Sequence, residues 1–269
     1  MTNVRPVEYR PATPGQTLEI TTSKALMARY DIEALVPYRR LTFHVVQLAL
    51  SAGTHDVDFR PVRLERGSLL HLRPGQAHRW SLAGSDTRIA FFTDGPWAEP
   101  LGRAGSTAAV DLSSTTFDAI GLTLDFVQQR LRAEPDRRVV AGLRDLLIAE
   151  VAACAQPSSV GPPAYLALIE RLEAGHLDRS IGRHAAAIGY SERTITRACQ
   201  EAVGMTAKEL VDQRVALEAR RRLTDDGVTA AAVAHELGFS EATNFVKFFR
   251  RLVGLSPTEW QAGLRSSSA

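Results

Sequence analysis

Residues 233–251 read VAHELGFSEATNFVKFFRR, two short helical halves hinged on Gly238. A glycine between an apolar-small segment and an apolar-aromatic one supplies the positive φ that stops a helix within one turn. Ser240 is then the expected N-cap of the second half, with Glu241 at its first helical position, where the helix dipole favours a negative charge. On that second half, Phe245, Phe248 and Phe249 fall on one side and pack inward. Thr243, Val246, Lys247 and Arg250 fall on the other.

The same pattern occurs earlier. HAAAIGYSERTITRACQEAVGMTAKEL, from His184, parallels AHELGFSEATNFVKFFRRLVGLSPTEW, from Ala234, with Gly189 matching Gly238 and Ser191 matching Ser240. A short helix, a glycine turn and a capped second helix form the helix-turn-helix pattern, and the two copies are joined by a longer helix, Ala207 to Leu223. The alternative is an all-α bundle with a duplicated hairpin and no ligand. That alternative scatters polar residues around the solvated faces, whereas Arg193, Thr196 and Arg197 cluster on one face of the first candidate reading helix, with Ile195 and Cys199 opposite. The clustering favours DNA as partner.

Upstream lies AQPSSVGPPA, 155–164, whose prolines, serines and glycine resist packing and mark a linker. Before it, FDAIGLTLDFVQQRL carries Phe117, Ile120, Leu124, Val127 and Leu131 in alternating three- and four-residue steps, and Val140, Leu143, Leu147, Val151 and Cys154 follow at helical spacing. This predicts a helical hairpin at about 114–154. Its stripe either closes the open side of the preceding sheet structure or forms a dimer seam, and both hold if the stripe is broad.

From about Thr17 to Phe92 the runs LTFHVVQLAL, THDVDFRPVRL, GSLLHLRP, AHRWSL and TRIAFF alternate with turn signals, as expected for a small antiparallel barrel or sandwich. The expected architecture is thus α+β in two domains. Residues 1–154 form a β-barrel with a helical hairpin, 155–164 a linker, and 165–269 an all-α domain with helix-turn-helix units at about 179–203 and 229–253.

Composition sets the outer limits. The chain has 269 residues, 45% of them hydrophobic, and a net charge of +2, too small to argue for an anionic partner by itself. Its apolar runs fall far short of the about 20 residues a membrane span needs. The amino terminus, MTNVRPVEYRPATPGQ, lacks the pattern of a signal peptide, so a cytoplasmic location is expected, without membrane contact. Cys154 and Cys199 lack metal-like spacing.

VAHELGFSEATNFVKFFRRLVGLSPTEW resembles the signature of the AraC/XylS-type transcription regulators through Gly238, Phe239, Phe245, Phe249, Gly254, Pro257 and Trp260. GTHDVDFRPVRLERGSLLHLRPGQAHRW is similar to the cupin-like sensor domain of that family through Gly53, Asp58, Phe59, Gly67, Pro74, Gly75 and His78. The resemblance implies a nucleoid-associated regulator that binds double-stranded DNA and a small-molecule effector, as a homodimer that can contact RNA polymerase. It implies base contacts from Arg193, Thr196 and Arg197 in the first unit and Ala242, Thr243, Val246 and Lys247 in the second. Ser191, Ser240 and Arg250 are the phosphate contacts. His44, His78 and Trp80 are the effector candidates, and Phe117, Ile120, Leu124, Val127 and Leu131 the dimerisation candidates.

The rival reading is a cupin-type metal enzyme, or a ligand-binding protein with a helical assembly domain. His44, His55 and His78 are scattered and the His-x-His pattern is missing, so no metal ligand set and no cofactor is assigned. No catalytic residue is expected either.

Overall fold

The computed structural model describes residues 17–29, 38–80, 86–93, 95, 109–133, 136–154, 161–225 and 227–266. The amino-terminal stretch MTNVRPVEYRPATPGQ lies outside them, as does most of the linker.

The first half is a sandwich of two antiparallel sheets. Strands β1 (Leu18–Thr22), β8 (Thr87–Thr93), β3 (Phe43–Ala49), β6 (Ser68–Leu72) and β9 (Val110–Asp111) form one sheet in that order, and β2 (Arg39–Arg40), β7 (Ala77–Trp80), β4 (Gly53–Val57) and β5 (Arg60–Leu64) form the other. Every residue of β3 is buried because both faces of this central strand are covered. Phe43, Val45 and Ala49 point into the layer between the sheets with Leu70, Leu72, Ile89 and Phe91. Val46 and Leu48 point the other way and meet the helices.

Those helices are α2 (Ser114–Arg132) and α3 (Arg137–Cys154). Ser113 caps α2, its hydroxyl accepting from the Thr116 amide at 3.2 Å. The stripe Ile120, Leu124, Val127 and Leu131 lies at 0%, 1%, 0% and 8% exposure, packed with Val140, Leu143, Leu147 and Val151 against Val46, Leu48, Ala90 and Phe92 of the five-stranded sheet. Arg88 of β8 pairs with Asp125 and donates to the Gly121 carbonyl at 2.8 Å, fixing α2 on the sheet. The stripe is therefore spent inside the protomer, with Phe117 packed at its margin. These five residues form no exposed seam, which corrects the expectation that they carry dimerisation. What α2 and α3 leave outside is Leu122, Phe126, Val139 and Leu146.

Two local features depart from the sequence reading. A seven-residue helix, α1 (Ser23–Arg29), interrupts the strand pattern, its Leu26 buried at the edge of the inter-sheet layer and Ser23 accepting from the Thr87 amide at 3.1 Å. The run THDVDFRPVRL is not one strand: it folds back at Asp58–Phe59 into β4 and β5, with Val57 opposite Arg60.

The second half is helical among its described residues. Its elements are α4 (Pro163–Glu173), α5 (Ile181–Ile188), α6 (Glu192–Val203), α7 (Ala207–Arg222), α8 (Ala230–Glu236), α9 (Ala242–Val253) and α10 (Pro257–Ser266). Pro163 and Ala164, expected in the linker, are the first turn of α4, where proline's missing N–H costs nothing. One core, from Leu168 and Ile195 through Val211 and Val215 to Phe245 and Phe249, runs through all of these elements except α10, whose Trp260 packs against it.

Candidate nucleic-acid interface

Each helical unit is built by the same local chemistry. In the first, α5 is capped by Ser180 and ends on Gly189 at φ 75°, with the Tyr190 amide donating to the Ala185 carbonyl at 3.2 Å. In the second, α8 is capped by Thr229, Gly238 sits at φ 74°, and the Phe239 amide donates to the Ala234 carbonyl at 2.9 Å. Both closures satisfy a carbonyl of the helix end through a left-handed residue that a side chain would strain.

The reading helices differ at their starts. Ser191 caps α6, accepting from the Thr194 amide at 3.1 Å. In α9 the N-cap position is Glu241, without a side-chain hydrogen bond, so Ser240 is not the cap that the sequence pattern suggests. Glu241 has an extended φ of −138°, which places the helix start one residue later than in the first copy. At the far ends, Gly204 at φ 69° and Gly254 at φ 86° close the two helices alike.

The faces separate cleanly. On α6, Ile195, Ala198 and Cys199 are buried, and burial pushes the Cys199 thiol up to about 11, so it stays a neutral packing group. Arg193 and Arg197 are exposed and Thr196 is half-buried beside them. On α9, Phe245, Phe248 and Phe249 are buried, while Ala242, Thr243, Lys247 and Arg250 are exposed and Val246 is half-buried. The expected base-contact residues thus share the solvent side of each helix, three on one and four on the other. Ser191 and Ser240 are exposed at the starts, near the positive end of each helix dipole.

α7 holds the two units together through a residue that lies in neither repeat. Asp212, on this helix, is 4% exposed, and its carboxylate meets Lys208, Arg179 at 3.8 Å and Arg251 of α9 at 3.0 Å. Arg179 also lies over the Phe239 and Phe248 rings, at 4.5 and 4.6 Å. Thr206 and Glu209 form a capping box at the start of α7, and Ser256 and Glu259 repeat it before α10, with the Ser256 amide 2.7 Å from the Glu259 carboxylate.

The comparisons with known proteins agree with this geometry. A family model described as a helix-turn-helix domain matches residues 184–263. The HTH-type transcriptional activator RhaR of Klebsiella pneumoniae is 23% identical over 92% of this chain and 95% of its own length. RhaR of an Enterobacter species is 22% identical, over 91% and 93%. The chain carries a helix-turn-helix domain and is similar along most of its length to transcriptional activators. Both relatives are transcriptional activators by name, not enzymes. Among solved structures, ToxT of Vibrio cholerae is similar at 9% identity with a TM-score of 0.44, covering 92% of this chain and 98% of ToxT. An AraC-type regulator of Chromobacterium violaceum aligns over 38% of this chain and 92% of its own, at 20% identity and a TM-score of 0.34.

In this chain the three effector candidates fall on two sides of a sheet. His78 and Trp80 of β7 face the inter-sheet layer with His55 of β4: the His55 and His78 rings stack at 5.3 Å, and His55 lies 4.8 Å from Trp80. His55 Nε2 is 3.1 Å from His78 Nδ1, and His55 Nδ1 is 3.0 Å from the Gln47 Oε1. With the Gln47 carbonyl so oriented, His55 donates to Gln47 and accepts from His78, which keeps the chain of three satisfied and neutral. Burial draws His55 down to about 4 and holds His78 well below the ordinary imidazole range.

His44 lies elsewhere. It stacks between Phe92 and His71 on the helix-facing side, with Nδ1 3.0 Å from His71 Nε2. His55 and Gln47 belong to the inner cluster, and the alternation of β3 and β4 is the signal that places them there. Among the described residues no group of three or more His, Cys, Asp or Glu is placed to hold a metal ion, and no helix is long and apolar enough to cross a membrane.

Proposed function

We propose that this regulator is controlled by a small molecule bound between its two sheets and that it reads its operator with both units unequally. Residues 1–154 serve as the cupin-like effector and dimerisation domain, 155–164 as the linker, and 165–269 as the DNA-binding domain. The observation that carries this reading is the pair of solvent-side faces, Arg193, Thr196 and Arg197 on α6 and Ala242, Thr243, Val246 and Lys247 on α9, exposed except for the half-buried Thr196 and Val246, over one shared apolar core. Arg193 and Arg197 suit bidentate contact to guanine, while Ala242 and Val246 suit thymine methyl groups. Ser191, Ser240 and Arg250 are then phosphate contacts.

The effector site is built on His78 and Trp80, joined by His55 and Gln47. That group is uncharged, so it suits a neutral polar molecule better than an ion. His44 is separated from it by the sheet and supports the fold under α2 and α3. The homodimer uses the outer side of the hairpin, where Leu122 is 70% and Phe126 50% exposed, one turn apart on α2. RNA polymerase is the expected further partner of a transcription regulator of this kind, and the cytoplasm its place of action.

The test is a mobility shift on the DNA upstream of the protein's own gene, against shuffled DNA of the same length. Selective retardation that weakens as salt rises is the expected result. Equal binding to both fragments at every salt concentration defeats the reading.

A further inference from the structure

The two-residue turn Asp58–Phe59 combines three properties that rarely meet. Its backbone has φ 51° at Asp58 and 66° at Phe59, both left-handed and neither a glycine. A hairpin loop of this length favours such angles, and asparagine or aspartate followed by glycine is the sequence that adopts them without strain; a phenylalanine at the second position is the unfavourable choice. Both side chains bridge the sandwich and the helical half: on the sandwich side Asp58 keeps Gln76 and the Ala77 amide, and the Phe59 ring lies 4.8 Å from the Tyr38 ring. The run THDVDFRPVRL also gives no local sign of a turn, and such conflicts between local preference and global fold concentrate at functional sites.

The contacts are specific. Asp58 accepts two hydrogen bonds from Arg221 at the end of α7, from Nε at 2.8 Å and Nη2 at 2.6 Å, and two more from Gln76 Nε2 and the Ala77 amide at 3.1 and 3.2 Å. The Phe59 ring meets the Trp260 ring of α10 edge-on at 5.0 Å, and the Arg220 guanidinium lies over both, at 4.2 and 4.6 Å. Arg40 of β2 pairs with Asp225 just beyond α7, and Arg73 lies 3.9 Å from Glu173 of α4. Gln261 of α10 donates to the Leu223 and Val228 carbonyls, so the turn docks on the junction that carries the second helix-turn-helix unit. On the sandwich side, β4 runs directly from His55 to the turn, and Val57 is opposite His78.

We propose that Asp58–Phe59 is a releasable latch: docked, it holds the second unit against the sandwich in a low-affinity state, and released, it frees the helical half to fit its DNA. This rests on the effector-controlled reading above. Docking imposes a position on α7 and α10 that the operator did not choose, and it neutralises Arg221 with Asp58. Release removes the constraint and returns positive charge to the DNA-binding half.

Phe59→Gly and Arg221→Met in the full chain, without any effector, test the latch. The first creates the Asp-Gly turn that the backbone prefers, so the hairpin is kept while the ring contacts to Trp260, Arg220 and, within the sandwich, Tyr38 go; thermal melting checks that the sandwich still folds. The second removes the ion pair from the other side and leaves Asp58 with Gln76 and Ala77. Solution X-ray scattering of each variant is expected to show a larger radius of gyration than wild type, and mobility shift on the upstream DNA an affinity raised about fivefold or more. Unchanged scattering in both variants overturns the latch whatever the DNA result. Expanded scattering with unchanged affinity overturns its inhibitory role. No selective DNA binding by wild type or variants defeats the regulator reading instead, and scattering still decides whether the turn docks.

Discussion

The Asp212 carboxylate of α7 lies 3.0 Å from the Arg251 guanidinium of α9, so a buried acid on the connecting helix grips the far side of the second reading helix. Lys208, one turn earlier on α7, and Arg179, next to the first unit's opening helix, complete its surroundings. Asp212→Asn leaves three cations facing a neutral amide. Its three partners are at least a third exposed, so the cost is discounted to about 1–2 kcal/mol, below that of a fully buried pair. Urea unfolding reads the loss, and Asp212→Asn as stable as wild type would show that the carboxylate does not tie the units.

The two reading helices offer an internal control for capping. Ser191→Ala removes the acceptor for the Thr194 amide and is expected to cost about 1 kcal/mol. Ser240→Ala removes no side-chain cap from α9 and is expected to be near neutral for stability, with an effect on DNA affinity only. Equal destabilisation by both changes would contradict the difference between the helix starts.

Arg197→Ala and Arg250→Ala separate base reading from backbone binding. The first is expected to relax sequence preference, losing about 1–3 kcal/mol on the preferred site and little elsewhere. The second weakens all DNAs alike and lowers the salt slope by about one. Binding of both variants to preferred and shuffled DNA across a salt series distinguishes them, and a uniform loss for Arg197→Ala would remove its base-reading role.

His55 makes stability fall in mild acid. Burial pulls its pKa from the ordinary 6.5 to about 4, so between these values the unfolded chain takes up a proton that the folded chain refuses. The contribution is complete above about 6.5 and is lost as pH falls toward 4, by about 3 kcal/mol in all. His78 is displaced the same way and adds to the loss. Thermal melts from pH 7 to pH 4.5 should show the decline, and His55→Gln should flatten it; an unchanged slope would mean that another group titrates.

Leu122→Ser with Phe126→Ser is expected to turn the proposed dimer into a monomer in sedimentation, without lowering the melting temperature of the protomer, since neither side chain is in its core. Leu124→Ser, at 1% exposure, is the contrasting change and is expected to unfold the sandwich. A dimer that survives the double change lies on another face.

The helical half was legible because its signals are local. Gly189, Gly238, Ser191 and the Phe245, Phe248 and Phe249 stripe each act within one or two turns, and their repetition makes the pattern unmistakable. The sandwich was legible in outline, since strand alternation shows that two faces exist. It does not show which face meets the other sheet and which meets a helix, and this is why His44 and His78 read as one group though a sheet divides them. The α2 stripe read equally well as a seam or a lid because burial inside a protomer and burial between protomers demand the same spacing. Asp212 and the Asp58–Phe59 turn were out of reach. Their partners lie on other elements, and neither residue type announces a contact at long range.

The bare start of α9 has a consequence for the genome. A helix whose first amides are held by Ser191 meets DNA in one posture, whereas one that opens on uncapped Glu241 can settle its first turn after contact. Aligned target promoters should therefore show one sharply conserved block of bases and a second block in which several spellings are tolerated.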